Sequence, residues 1–127
     1  RIEAGKRPRS SMSPFVVFDR DKKLKLLIGS PGGSQIIAYV SRVIANVLGQ
    51  GVSLQDAVSA PHIVARNNGY LDLETDRFTA KQQAQLESWG HRLRVRDMNS
   101  GLHGIYVDRG VMTGVADPRR EGIAMGR

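Results

Sequence analysis

One stretch limits what this chain can fold into: Leu26-Leu27-Ile28-Gly29-Ser30-Pro31-Gly32-Gly33-Ser34-Gln35-Ile36-Ile37. It opens as a short apolar run, and Pro31 stops a strand there because it has no N–H to give the ladder. The two glycines accept positive φ or a ligand pressed against the backbone, and Ser34 stands where a helix N-cap belongs. From Ile36 the period changes. Ile36, Ile37, Val40, Val43, Ile44, Val47 and Leu48 recur at helical spacing, with Gln35, Tyr39, Arg42 and Asn46 on the opposite face, as far as Gly49. A strand, a tight turn and a helix in succession aim consecutive backbone N–H groups at one point. That point suits a phosphate, a carboxylate or the oxyanion of a tetrahedral intermediate. A plain strand-to-helix connection is the other reading of the same residues. The turn lacks the Lys and Ser/Thr of a phosphate-binding loop and the glycine spacing of a dinucleotide fold.

The rest of the chain supplies the layers. Residues 1–9, rich in charge, Gly and Pro, read as a flexible lead-in or linker. Ser10-Ser11-Met12-Ser13 precedes Pro14 and the strand Phe15 to Phe18. Such hydroxyl clusters are common turn chemistry, and they are also donors for a bound carboxylate. Asp19 to Lys22 turns the chain into Leu24 to Ile28, and the nearly continuous apolar strands of this hairpin predict burial on both faces. Ser53-Leu54-Gln55-Asp56 reads as a capped start of a short helix ending before Pro61. Two short strands, His62 to Ala65 and Tyr70 to Leu73, flank Asn67-Asn68-Gly69. Thr79 is placed to cap a second long helix that offers Ala80, Ala84, Leu86 and Trp89 for packing and ends at Gly90. A strand through Leu93 and Val95 follows, then a hairpin around Asp108-Arg109-Gly110. This order has no regular βαβ alternation and predicts an α+β chain of antiparallel sheets covered by helices.

At 127 residues the chain suits one domain that buries about two-thirds of its unfolded surface. Its net charge of +7 is gathered at Lys6, Arg7 and Arg9, at Lys22, Lys23 and Lys25, at Arg92, Arg94 and Arg96, and at Arg119, Arg120 and Arg127. No nucleic-acid motif accompanies these charges, so they read as solvated faces or as a surface for an acidic partner. There is no cysteine, and His62, His91 and His103 lack the spacing of metal ligands. No metal or cofactor is expected. No apolar run approaches membrane-spanning length, so a soluble product is expected, with any targeting segment outside it. A Ser-His-Asp hydrolase is disfavoured, because no G-x-S-x-G elbow is present.

Four blocks carry a more specific signal: Lys6-Arg7-Pro8-Arg9-Ser10-Ser11-Met12-Ser13-Pro14, Gly29 to Ile37, Asp56-Ala57-Val58-Ser59-Ala60-Pro61-His62, and Gly114-Val115-Ala116-Asp117-Pro118-Arg119-Arg120-Glu121-Gly122. Together, and in this order, they resemble the small subunit of γ-glutamyltranspeptidases. The resemblance implies part of the αββα sandwich of N-terminal-nucleophile hydrolases, with residues 10–127 as the C-terminal portion of the small subunit. It implies transfer of the γ-glutamyl group of glutathione and related amides to an amino acid, a peptide or water. It further implies an oxyanion hole made by the backbone N–H groups of Gly32 and Gly33. Ser10 and Ser11 are implied to hold the substrate's α-carboxylate end.

The expected partners are γ-glutamyl compounds, the large subunit and the rest of the small subunit, in a periplasmic or extracellular setting. The family's nucleophile is a threonine freed by self-cleavage, and this chain starts with Arg1. The 127 residues are therefore expected to be inactive alone. A cephalosporin-acylase-type amidase and a basic binding or interface module are the alternatives.

Overall fold

The two apolar runs pair as expected. In the computed structural model, β1 (Phe15–Phe18) and β2 (Leu24–Gly29) form an antiparallel hairpin with Phe15 opposite Ile28 and Val17 opposite Leu26. The structure describes residues 2–8 and 10–126; Arg1, Arg9 and Arg127, named above for the chain start and the basic clusters, lie outside the described residues. On its other edge β2 pairs with β6 (His103–Asp108), which forms the last hairpin with β7 (Val111–Ala116). Arg109 and Gly110 make that two-residue turn at φ of 47° and 83°, the conformation whose twist matches paired strands. The sheet order is β1-β2-β6-β7.

One face of this sheet is covered by α1 (Ile36–Ile44), which runs on into a π-helical turn at Ala45–Gly49, and by α2 (Leu54–Ser59). Leu26, Ile28 and Val115 from the strands meet Val40, Val43, Leu54 and Val58 from the helices, all buried. Each such side chain stabilises the fold by about 1.5–3 kcal/mol on burial. The buried stripe of α1 is rotated from the sequence reading. Tyr39 is fully buried, while Ile37 and Leu48 are 57% and 42% exposed. The helix has more apolar positions than one sheet face can cover, and the face in contact is fixed by the Tyr39 ring, which fills the space between Gly32 and His62. The left-handed glycine after the helix is Gly51 (φ 70°) rather than Gly49.

The expected burial on both faces does not hold within this chain. Val16, Leu27 and Ile105 stand abreast on the face away from the helices, with Val16 and Ile105 exposed.

A second sheet joins β3 (Ile63–Ala65), β4 (Leu71–Glu74) and β5 (Leu93–Arg96). Here β4 and β5 are parallel, not antiparallel, because α3 (Ala80–Ser88) supplies the crossover a parallel pair needs. Thr79 does cap α3, in a reciprocal box with Gln82. The helix fully buries no residue: of the four side chains expected to pack, Leu86 is half-buried, and Ala80, Ala84 and Trp89 are exposed. Among the described residues no helix is long and apolar enough to cross a membrane.

Strand direction places the site. The start of β1, the end of β2, the start of β6 and the end of β7 lie at one end of the four-stranded sheet, as the pairs Phe15–Ile28, Gly29–His103 and His103–Ala116 require. Segments 10–14, 30–33, 99–102 and 117–120 all leave the sheet there.

Candidate active site

At that end the chain breaks from β2 into Ser30-Pro31-Gly32-Gly33 and enters a 3₁₀ turn at Gly33–Gln35 that leads into α1. Gly32 sits at φ 138°, ψ 11° and Gly33 at φ 57°. Gly32 is needed for a second reason: a Cβ there would lie 2.9 Å from Cε2 of Tyr39. Around Gly33 nothing lies within 4 Å of a Cβ position, so only its backbone conformation asks for glycine. Ser34 is not the cap. The helical turn begins a residue earlier, at Gly33, and the Ser34 hydroxyl accepts a 2.6 Å hydrogen bond from Nη2 of Arg66 instead. The first N–H groups of a helix have no intrahelical acceptor, and among the described residues no side chain caps these. The turn therefore offers backbone donors to an anion.

Ser10 and Ser11 lie on the segment leading into β1, at the same end of the sheet as the glycine turn. Ser10 is exposed and its Oγ accepts from the Met12 N–H at 3.2 Å; Ser11 is half-buried, and its carbonyl accepts from the Ser13 hydroxyl.

Beneath the turn lies a buried polar network that sequence reasoning missed. The Tyr39 ring packs on His62 with centroids 4.1 Å apart, and His62 is fully buried. Ser100 donates its only hydroxyl proton to Asp117 Oδ2, so at 2.7 Å it accepts from His62 Nε2. The remaining ring nitrogen, Nδ1, then accepts from Arg42 Nη2 at 3.2 Å. This arrangement requires a neutral imidazole, since a second ring proton would face a donor. Burial, together with Arg119 and Arg42, pushes the His62 pKa down to about 3.

Arg119 ties the other side. It donates to Glu74 Oε2 at 2.8 Å, to Asp117 Oδ1 at 3.1 Å and to the carbonyls of Val58 and Ala60. Burial raises the pKa of Glu74 and Asp117, but hydrogen bonds outweigh it and hold both carboxylates below their usual range: from Arg119 and the His62 N–H to Glu74, and from Ser100, Leu102 and Arg119 to Asp117. The advance signal was the presence of His62, Asp117 and Arg119 in blocks that carry the resemblance.

The basic clusters are partly accounted for. Arg94 grips the buried Asp72 through Nε at 2.7 Å and Nη2 at 3.0 Å, with Arg96 at 3.4 Å, and Lys25 pairs with Asp108 at 3.0 Å. Alternating arginines on β5 thus serve the second sheet, not only a solvated face. Among the described residues no three His, Asp or Glu side chains gather as metal ligands.

A sequence profile of the family described as Gamma-glutamyltranspeptidase matches residues 1–127. The chain belongs to the γ-glutamyltranspeptidase family. It is 33% identical to the glutathione hydrolase proenzyme of Pseudomonas aeruginosa and 34% identical to that of Bacillus subtilis, in each case over 98% of this chain. It spans only 23% and 22% of those two curated relatives. A solved γ-glutamyltranspeptidase from Pseudomonas nitroreducens matches with a TM-score of 0.87 at 30% identity, covering 99% of this chain and 67% of that one. The α+β fold implied by the resemblance, that of N-terminal-nucleophile hydrolases, is the fold this γ-glutamyltranspeptidase chain shares with that structure.

Proposed function

We propose that this chain is the oxyanion-hole and carboxylate-binding part of a γ-glutamyltransferase or glutathione hydrolase, whose threonine nucleophile lies on polypeptide outside these 127 residues. The observation that carries the reading is the uncapped Gly32-Gly33 turn at the head of α1, at the same end of the sheet as Ser10 and Ser11. The nucleophile's oxygen attacks the γ-carbonyl carbon of glutathione or a related amide. The carbonyl oxygen becomes an oxyanion held by the Gly32 and Gly33 N–H groups, fixed dipoles that need no reorganisation as charge develops. Collapse breaks the C–N bond and expels the amine, which takes the hydroxyl proton by way of the threonine's own α-amino group, and leaves an acyl-enzyme that an amino acid, a peptide or water then resolves. Ser10 and Ser11 donate hydrogen bonds to the α-carboxylate and set the γ-carbonyl in place. On this reading the enzyme works in the periplasm or outside the cell, as the family resemblance implies, and the 127 residues alone turn over nothing.

The test is to express the full-length gene product and assay it with γ-glutamyl-p-nitroanilide and glutathione. Self-cleavage exposing a threonine, with γ-glutamyl release that the separate 127-residue chain lacks, is expected. Absence of such a threonine, or much faster hydrolysis of glutaryl or adipyl amides, overturns the proposal.

A further inference from the structure

Oxyanion donors lower a barrier only if they are fixed before the charge appears. The Tyr39 ring fixes Gly32 from below, and the other side of the turn is held by a strap at Asn99-Ser100-Gly101. The Ser30 hydroxyl donates to the Pro31 carbonyl at 2.7 Å and accepts from the Gly101 N–H at 3.2 Å. Gly101 is wedged between two side chains: a Cβ there would lie 2.8 Å from Cγ of Pro31 and 2.9 Å from Cδ of Arg120. The Arg120 guanidinium closes over the strap, donating from Nε to the Ser100 carbonyl at 2.9 Å and from Nη2 to the Asn99 carbonyl at 3.0 Å. The Pro31 ring and the Arg120 stem therefore both press on the space that a side chain at Gly101 would fill.

We infer that Arg120 is a positioning residue for acyl transfer: it clamps the 99–101 strap against Ser30 and Pro31 and so fixes the Gly32 and Gly33 N–H groups. The inference rests on the proposed function. Its neighbour Arg119 differs in kind. Arg119 is largely buried and joins α2, β4 and the 117–120 loop, so its loss damages the fold. Arg120 is exposed, and among the described residues its guanidinium bonds the Ser100 and Asn99 carbonyls of the strap, so loss of its side chain acts locally.

The experiment compares wild-type, Arg120→Ala, Arg120→Lys, Ser30→Ala and the Arg120→Ala/Ser30→Ala double variant in the full-length, self-processed enzyme. The rate is expressed per active site titrated by acyl-enzyme burst. Small misplacements of reacting groups cost up to about a hundredfold, so Arg120→Ala is expected to lower kcat by about tenfold with KM within about twofold of wild-type. Lys, a single-point donor, recovers part of the rate, and the double variant loses less than the product of the two single losses. A merely structural role would reduce processed yield or Tm and leave kcat per titrated site unchanged; that result, or additive losses, overturns the inference.

Amide hydrogen exchange supplies a readout without turnover. Exchange over residues 29–36 is expected to quicken in Arg120→Ala while α3 is unaffected, and unchanged exchange at 29–36 overturns the inference whatever the activity. A wild-type enzyme inactive on γ-glutamyl amides, with exchange at 29–36 still quickened by Arg120→Ala, sinks the proposed function but supports the hold of Arg120 on the turn.

Discussion

Acid loosens this fold through His62 before its carboxylates titrate. The folded imidazole has its pKa pushed down to about 3, against an ordinary 6.5, by burial and by Arg119 and Arg42. Above pH 6.5 the ring is neutral in both folded and unfolded chains and costs nothing. As pH falls from 6.5 toward 3 only the unfolded chain takes up the proton, so stability is lost at up to about 1.4 kcal/mol per pH unit. At pH 5 the deficit from this one group is about 2 kcal/mol, a large part of a typical domain's total. Glu74 and Asp117 are also held low, but their contribution is present above the ordinary carboxylate range and is lost at lower pH, leaving the interval from pH 6.5 to 5 to His62. Urea midpoints measured at pH 8 and pH 5 for wild-type and His62→Gln give the test. Gln retains an N–H donor for Ser100 and does not titrate, so its acid loss is expected to be smaller by about 2 kcal/mol. Equal losses in the two proteins would refute the reasoning.

Gly32→Ala combines positive-φ strain of about 1–2 kcal/mol with a close contact on Tyr39 worth about 1–3 kcal/mol, and on the proposed function it also cuts kcat. Denaturation and steady-state kinetics check both effects, and an unchanged midpoint would contradict the packing. Arg119→Met strands two buried carboxylates, Glu74 and Asp117, and is expected to cost about 3–5 kcal/mol; Glu74→Gln and Asp117→Asn added to it should recover part of the loss in the same melts. Ser10→Ala/Ser11→Ala in the full-length enzyme is expected to raise KM for γ-glutamyl-p-nitroanilide about tenfold or more, from two hydrogen bonds to a charged group, with a smaller change in kcat. An unchanged KM would remove both serines from the site.

What the sequence determined by itself is local. Pro31 and the glycines dictate a break and a turn, Ser53 and Thr79 cap their helices, and Arg109-Gly110 closes a hairpin, because each depends on dihedral preferences or on hydrogen bonds spanning a few residues. The candidate site residues come as adjacent pairs, Gly32-Gly33 and Ser10-Ser11, while the roles proposed for them rest on the family resemblance rather than on local pattern. Tertiary structure decided which face of α1 is buried, the parallel pairing of β4 with β5, and the open face of the larger sheet. It alone assembled His62, Ser100 and Asp117, which are 38 and 17 residues apart along the chain. No local pattern encodes such a network, because its members are polar residues that become costly, and so must find one another, only once docking helices and strands have removed the water.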